Sequence, residues 1–349
     1  MSEFQVPIRP AVRNLPRYRP GKAAPGAMKL SSNEMATPPS APILEAMRKA
    51  LENVNRYPDL MATPVREAIA KRFKVLPEQV CVGTGSSALL LAALSAVCSP
   101  GAKVVYPWRS FESYPIAIPA SHAEGVPVPL DEDGGHDVEG LVCAAQDATA
   151  LILCSPNNPT GPVLTFDTIR DIVERVPASV LVLVDEAYID FASDPRVSSA
   201  IPLIEEHPNV LVLRTFSKVH ALAGVRVGYA IGNAELIGAI QAVSVPFGVS
   251  SVAQAAALAS LEDEAGVRAS AQAVIAERER MIAALREAGL SVPDSQANFF
   301  FLRGLGADFV EACVDAGLIV RPFPEGVRVT LADPLTNDRF LEVARRFAR

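Results

Sequence analysis

The sequence has no long hydrophobic run, and this absence excludes one class of protein at the start. Half of the 349 residues are apolar, yet they never form the uninterrupted stretch of roughly 20 residues that a membrane-spanning helix needs. The N-terminal segment MSEFQVPIRP lacks the apolar centre of a signal peptide. We therefore expect neither a membrane span nor a cleaved leader.

Cysteine and histidine are few and scattered. The five cysteines include no CxxC pair, and the four histidines do not have the spacing of metal ligands. Disulfide frameworks use an even set of cysteines in secreted proteins, and zinc sites use closely spaced Cys or His ligands. We expect reduced core thiols in a cytoplasmic protein and no metal site.

Basic residues are also fewer than acidic ones. Lys and Arg number 32 against 39 Asp and Glu, so the formal net charge is −7. A nucleic-acid partner would require a basic face, and none is expected. The composition is that of a globular protein, and the length allows one large and one small domain or two similar ones.

The pattern along the chain predicts three regions. Residues 1–40, rich in proline and glycine, are expected to form an extended arm. Residues 41–245 alternate helical segments with seven apolar stretches, which predicts a large α/β domain with a mostly parallel sheet covered on both faces. Residues 246–349 predict a small α+β domain. Thr63 is expected to cap a helix that begins at Pro64.

Four predicted strand ends carry unusual residues, and ligands bind at the carboxyl ends of parallel strands. The motifs are GTGSS at 83–87, SPNNPTG at 155–161, VDEAY at 184–188, and Lys218 within VLRTFSKVHALAGVRVGYAIG. Taken singly, they also fit a plain turn, a loop, a helix cap and a surface lysine. However, no carboxylate lies near Lys218 in that stretch, and desolvation would lower its pKa and make its amine nucleophilic.

Together the motifs place a phosphate cradle, an acid and an amine on successive strand ends. Pyridoxal 5'-phosphate requires this set, because its aldehyde needs a lysine and its ring nitrogen needs a carboxylate. Its phosphate needs N–H groups, hydroxyls and an arginine. The sequence therefore predicts a site for this cofactor.

The chain resembles the fold-type-I pyridoxal-phosphate-dependent aminotransferases almost end to end. It is similar to their histidinol-phosphate aminotransferase group, and most of all to the aromatic amino acid (phenylalanine) aminotransferases. The resemblance implies a homodimer that converts aromatic L-amino acids and 2-oxoglutarate to aromatic 2-oxo acids and L-glutamate in a ping-pong cycle. The segments that carry it are PGKAAPGAMKLSSNE, VNRYPD, WRSFESYP, SPNNPTG, DEAY, TFSKVHALAGVRVGYAIG, VPFGVSSVAQAAALASL, SQANFFFL, IVRPF and GVRVT.

The resemblance also implies roles for single residues. Lys218 would bind the aldehyde, and Asp185 would face the ring nitrogen. Asn158 and Tyr188 would hydrogen-bond the ring oxygen, and Phe111 would stack on the ring. The other cofactor contacts that it implies are Gly85, Ser86, Ser87, Thr215, Ser217 and Arg226, with Tyr57 reaching across from the neighbouring subunit.

The same resemblance assigns the substrate contacts. Arg328 would bind the α-carboxylate, for which a planar guanidinium is suited. Arg321 is a second candidate, and Asn33 would line the substrate entrance. Once the substrate has displaced it, Lys218 would move a proton from Cα as general base and acid.

The sequence departs from the histidinol-phosphate enzymes in one motif. They usually carry an acidic pair after the phosphate-loop serine, as in GSDE, whereas residues 85–88 read GSSA. This difference weakens the assignment to histidinol phosphate, and the segments WRSFE and VPFGVSS resemble the aromatic branch instead. Phe247 fits either an aromatic substrate pocket or the core.

Three alternatives stay open at this point. The first is histidinol-phosphate aminotransferase itself. The second is decarboxylation or β-elimination on the same scaffold. The third is a binding or regulatory protein that keeps the cofactor, although the 40-residue arm is too short and too weakly basic to be a DNA-binding module.

Overall fold

The structure is a computed structural model that describes residues 6–15 and 26–348. The predicted arm over residues 1–40 therefore lies partly outside the described residues. Within these two ranges the twelve strands are β1 Met28–Lys29, β2 Val80–Gly83, β3 Lys103–Trp108, β4 Glu124–Pro129, β5 Ala150–Cys154, β6 Leu181–Asp185, β7 Val210–Thr215, β8 Gly228–Gly232, β9 Phe299–Arg303, β10 Leu318–Ile319, β11 Arg321–Phe323 and β12 Gly326–Thr330.

Helices separate most of these strands. In the described part of the chain they are α1 Pro10–Arg13, α2 Ala41–Leu51, α3 Thr63–Phe73, α4 Ser86–Val97, α5 Tyr114–Ala120, α6 Val138–Ala145, α7 Phe166–Arg175, α8 Ala234–Val243, α9 Ser251–Glu262, α10 Glu264–Glu287, α11 Ala307–Asp315 and α12 Pro334–Arg345. No described helix is long and apolar enough to cross a membrane.

A seven-stranded sheet forms the centre of the molecule, in the order β2-β8-β7-β6-β5-β3-β4. Only β8 runs antiparallel to its neighbours β2 and β7, and the other pairs are parallel. All residues of β5, β6 and β7 are buried, as expected for strands covered on both faces. The predicted α/β class with a mostly parallel sheet is confirmed.

Side chains alternate between two cores along the central strands. Val182 and Val184 face one core, which also holds apolar residues of α3, α6, α7 and α9. Leu181 and Leu183 face the other, which holds residues of α4, α5 and α8. This period of two places both cores against one sheet. Because β5, β6 and β7 are parallel, the loops that follow them lie at the same edge of the sheet.

The C-terminal part has its own sheet and core. Strands β11, β12 and β9 form an antiparallel sheet, and their apolar residues pack with α10, α11 and α12. Strand β1 pairs in parallel with β10, so the described end of the arm joins this part. Helix α9, in contrast, packs in the core of the large sheet. A domain boundary at 245/246 stays a prediction.

The predicted cap of α3 is wrong by one residue. The helix begins at Thr63, and the residue before it, Ala62, has a left-handed conformation with φ 48°. The carboxylate of Asp59 accepts hydrogen bonds from the N–H groups of Met61 and Thr63, at 2.9 and 2.8 Å. Asp59 thus accepts from the N–H of Thr63, the first residue of the helix, and the Thr63 side chain makes no cap bond.

Replacement of two glycines by alanine should change the free energy of unfolding in opposite directions. At Gly228, at the start of β8, a Cβ would lie 2.7 Å from the Ser86 nitrogen and 2.8 Å from the Arg214 carbonyl oxygen. We expect Gly228→Ala to lower the free energy of unfolding by about 1–3 kcal/mol, as overpacking does. Gly238 in α8 has no heavy atom within 4 Å of the added Cβ. Gly238→Ala should raise stability by about 0.5–1 kcal/mol, because it removes a helical glycine.

Urea unfolding of the cofactor-free protein measures both changes. Equal or inverted effects of the two substitutions would contradict the close packing of β8 against the loop before α4.

Candidate active site

A cavity of about 410 Å³ opens at the carboxyl ends of β5, β6 and β7. This is where ligands bind in sheets of parallel strands. Most of the residues singled out from the sequence meet here. Those that line the cavity are Asn33, Ser86, Ser87, Phe111, Asn158, Asp185, Tyr188, Thr215, Ser217, Lys218, Arg226 and Arg328.

Lys218 lies just after β7, and its side chain is partly buried at the cavity wall. Its Nζ donates to the carbonyl oxygens of Asn33, at 3.2 Å, and Ser32, at 3.4 Å. Burial lowers the pKa of this amine to about 7, and the positive charge of Arg328 acts in the same direction. A substantial fraction of the amine is therefore neutral, and so nucleophilic, near neutral pH.

Asp185 is the last residue of β6 and is buried. Burial raises the pKa of its carboxyl group, and hydrogen bonds from Tyr114 and Ala187 oppose that rise. The Tyr114 hydroxyl donates to Oδ2 at 2.9 Å, and the Ala187 N–H donates to Oδ1 at 3.3 Å. The carboxylate is thus held by two donors while it lines the cavity.

Tyr188 is joined to the arm. The Asn33 side-chain amide donates to the Tyr188 hydroxyl at 2.9 Å, and Asn33 Oδ1 accepts from Thr330 Oγ1 at 3.0 Å. Asn33 has φ 54°, a left-handed conformation that asparagine adopts more readily than most residues. Asn33 is therefore part of the buried wall and links Tyr188 to β12.

Arg328 projects from the middle of β12 into the same wall. Its Nη1 donates to Asn158 Oδ1 and its Nη2 to the Ser31 carbonyl oxygen, both at 2.5 Å. The guanidinium carbon lies 5.5 Å from the centre of the Phe299 ring. A buried guanidinium held in this way presents a fixed positive charge to the cavity.

Another part of the cavity wall is suited to an anion. Gly85, with φ 93°, precedes the first turn of α4, whose free N–H groups belong to residues such as Ser86 and Ser87. A Cβ at Gly85 would lie 2.8 Å from Arg226 Nη2, so glycine allows this guanidinium to approach the helix N-terminus. Arg226 Nη1 also donates to Ser217 Oγ at 3.2 Å. The hydroxyl of Thr215 completes the wall.

Two predicted residues lie away from the cavity wall. Tyr57 is 83% exposed, and its ring stacks on Phe247 at 4.7 Å. Arg321 donates from Nη2 to both carboxylate oxygens of Glu112, at 2.8 and 2.7 Å. Gly85 does not line the cavity itself, but it directly precedes Ser86, which does. Phe247 is 40% exposed, so the structure places it neither in the core nor in the cavity wall.

The sequence reasoning missed several residues, and three of them are close to Asp185 or Phe111. Cys154 and Ser113 line the cavity, and Tyr114 holds Asp185 from behind the wall. Cys154 had a signal in the strand pattern, because it ends β5 in register with Asp185 at the end of β6. Tyr114 had none beyond its place in an aromatic-rich segment.

These residues fit pyridoxal phosphate. An amine with a lowered pKa, a buried carboxylate and an anion cradle line one cavity of about 410 Å³. The cradle depends on a glycine whose missing Cβ leaves room for Arg226. The aldehyde, ring nitrogen and phosphate of the cofactor each have a suitable partner among them.

Comparison with known proteins shows the family of the chain. The family model for aminotransferase class I and II matches residues 25–346. An aromatic amino acid aminotransferase of Streptomyces avermitilis is 44% identical over 358 residues, which cover 100% of this chain and 99% of the relative. Another, of Rhodococcus erythropolis, is 46% identical over 341 residues, 97% of this chain and 95% of the relative.

A solved structure extends the comparison. The histidinol-phosphate aminotransferase of Sinorhizobium meliloti, in complex with pyridoxal-5'-phosphate, superposes with a TM-score of 0.89. The two chains share 26% sequence identity, and the match covers 99% of this chain and 100% of that one.

The lowered pKa of Lys218 can be measured directly. In cofactor-free protein labelled with ¹³C at lysine Cε, we expect Lys218 to titrate near 7 rather than at its ordinary value of 10.5. Arg328→Met should raise that pKa, because it removes a nearby positive charge. Arg303→Met, which removes an arginine bonded to the Glu132 carbonyl oxygen instead, is the matched control and should leave it unchanged.

Loss of the signal in Lys218→Ala assigns the resonance. A titration near 10.5 in the unmodified protein would contradict the desolvated environment described for this amine.

Proposed function

The chain belongs to the class I and II aminotransferases, and we propose that it transfers amino groups from aromatic L-amino acids to 2-oxo acids with pyridoxal 5'-phosphate as its cofactor. The observation that carries the reaction class is the meeting of the Lys218 amine, the Asp185 carboxylate and the anion cradle in one cavity. The names of the full-length relatives at 42–46% identity support aromatic substrates.

When bound, pyridoxal phosphate supplies an aldehyde that takes up the amino group and a ring that accepts the electron pair released when Cα loses its proton. Asp185 holds a proton at the ring nitrogen and stabilises its positive charge. Asn158 and Tyr188 would hydrogen-bond the ring oxygen, and Phe111 would pack on the ring. The helix N-terminus at Ser86 and Ser87, with Thr215, Ser217 and Arg226, would hold the phosphate.

Lys218 carries the proton transfer. Because its amine has a pKa of about 7, it can take a proton from the substrate Cα and return one near neutral pH. The Asn33 and Ser32 carbonyl oxygens accept hydrogen bonds from the amine. They hold it at the cavity wall whenever it is not attached to the cofactor.

Arg328 binds the α-carboxylate of the substrate. Its guanidinium is buried beside Asn158 and the arm, so a bidentate pair there would orient Cα relative to Lys218. Arg321 stays a second candidate, because its partner Glu112 follows Phe111 of the cavity wall directly. The amino-group acceptor that we propose is 2-oxoglutarate, in a ping-pong cycle.

The enzyme acts as a homodimer in this proposal, with Tyr57 reaching the neighbouring subunit's cofactor. Tyr57 and Phe247 form a stacked pair that is largely exposed in the single chain. The segments around them expose further large apolar side chains, and such a surface is typical of an interface. Those side chains are Val54, Leu60, Met61, Val243 and Val245. We place the enzyme in the cytoplasm.

Replacement of Lys218 tests the reaction class. Lys218→Ala should lower kcat by at least about 10³-fold, because it removes both the covalent attachment point and the proton carrier. The visible absorbance of the bound cofactor should shift as well. Lys103→Ala, which removes an exposed lysine paired with Asp147, is the control and should leave both unchanged. Transamination by Lys218→Ala at the unmodified rate would rule out the assigned role.

Steady-state assays test the substrate class. With 2-oxoglutarate as acceptor, we expect kcat/KM for phenylalanine, tyrosine or tryptophan to exceed that for histidinol phosphate by about tenfold or more, the range over which a pocket discriminates side chains. A preference for histidinol phosphate would favour the function named for the Sinorhizobium meliloti neighbour. Release of CO₂, or of pyruvate and ammonia, would favour decarboxylation or β-elimination.

A further inference from the structure

Tyr114 is a fully buried tyrosine to which the proposed reaction assigns no role. It is the first residue of α5, it is 0% exposed, and its hydroxyl donates to Asp185 Oδ2 at 2.9 Å. Its ring is fixed by edge-on contacts with Phe111, at 5.7 Å between ring centres, and Tyr106, at 6.4 Å. The phenol is thus locked behind the cavity, against the carboxylate that faces it.

Asp185 needs such a donor. Burial disfavours its charged form, and no ion pair to its carboxylate is found among the residues that the structure describes. The groups that face it from the surrounding elements are the Cys154 thiol on β5, the Tyr188 phenol, the Lys218 amine after β7 and the Tyr114 phenol on α5. Burial raises the pKa of both Cys154 and Tyr188, so they carry no charge near neutral pH.

The four groups differ in how they stabilise the charge of the carboxylate. Lys218 contributes only a partial charge, because its own pKa is about 7. Tyr114 donates a hydrogen bond at every working pH, since burial and the Asp185 charge hold the pKa of its phenol well above the ordinary value. A hydrogen bond to a charged acceptor is among the stronger ones in proteins.

We infer that Tyr114 is a positioning residue: its phenol keeps the Asp185 carboxylate ionised and fixes its orientation toward the ring nitrogen of the cofactor. The inference rests on the proposed function. A carboxylate accepts more than two hydrogen bonds, so the bonds from Tyr114 and Ala187 leave capacity for the donor that enters the cavity. Tyr114 itself does not line the cavity wall, and it acts only through Asp185.

The test replaces one hydroxyl. In cofactor-free Tyr114→Phe labelled with ¹³C at aspartate Cγ, we expect the pKa of Asp185 to rise by about one unit, which corresponds to a tenfold change in the ionisation equilibrium. In the holoenzyme, affinity for pyridoxal phosphate should fall about tenfold. The acid limb of the kcat/KM profile should move to higher pH, because a carboxyl group with a raised pKa is protonated at higher pH.

Tyr106→Phe is the matched control. It removes a hydroxyl from the same aromatic cluster, and no described hydrogen bond joins Tyr106 to Asp185. All three quantities should stay at their unmodified values in this variant. In an Asp185→Asn background, Tyr114→Phe should produce no further loss of cofactor affinity.

An unchanged Asp185 pKa and acid limb in Tyr114→Phe would overturn the inference, as would additive losses in the double variant. A fall in kcat alone, with cofactor affinity and pH profile unchanged, would also overturn it. If the unmodified protein does not transaminate, the proposed function fails, but the titration of the cofactor-free protein still decides the inference.

A second measurement applies if Tyr114→Phe does not fold. In unmodified protein labelled with ¹³C at tyrosine Cζ, the Tyr114 signal should move with the titration of Asp185 and should lose that movement in Asp185→Asn. A Tyr114 signal that ignores the Asp185 titration would overturn the inference.

Discussion

A partly buried lysine amine near the charge of an arginine is the constraint on which the rest of the site depends. Burial and the Arg328 charge lower the pKa of Lys218 to about 7, and an ordinary lysine would be almost fully protonated at that pH. This environment is unfavourable for the protonated amine, because the positive charge of the buried Arg328 guanidinium lies near it. That arrangement is useful where a substrate carboxylate neutralises the arginine and the amine must act as a base.

Three separate parts of the chain build the environment. The sheet provides Asp185 and Lys218 at the ends of β6 and β7, and the C-terminal part provides Arg328 on β12. The arm closes the wall with Ser32 and Asn33, whose carbonyl oxygens hold the amine. Because Asn33 also contacts Tyr188 and Thr330, a shift of the arm would disturb both the cofactor side and the substrate side of the cavity.

Much of this arrangement could be predicted from the sequence. The α/β fold, the family and the strand ends that carry Lys218 and Asp185 follow from continuous apolar strands and from the motifs SPNNPTG, DEAY and TFSKVHALAGVRVGYAIG. The contacts of Tyr114 could not be predicted, since they depend on how α5 packs against the sheet. The bond between Arg321 and Glu112, and the cap of α3 at Asp59, depend likewise on side-chain geometry that no periodic pattern encodes. The roles of the single site residues stay predictions.

The attachment point of the cofactor is the most direct test of the central claim. Protein loaded with pyridoxal phosphate is reduced with borohydride, digested, and analysed by peptide mass spectrometry. We predict a single pyridoxyl group on Lys218, the lysine that shares its cavity with Asp185 and the anion cradle. A pyridoxyl group on any other lysine, or none at all in saturated protein, would contradict it.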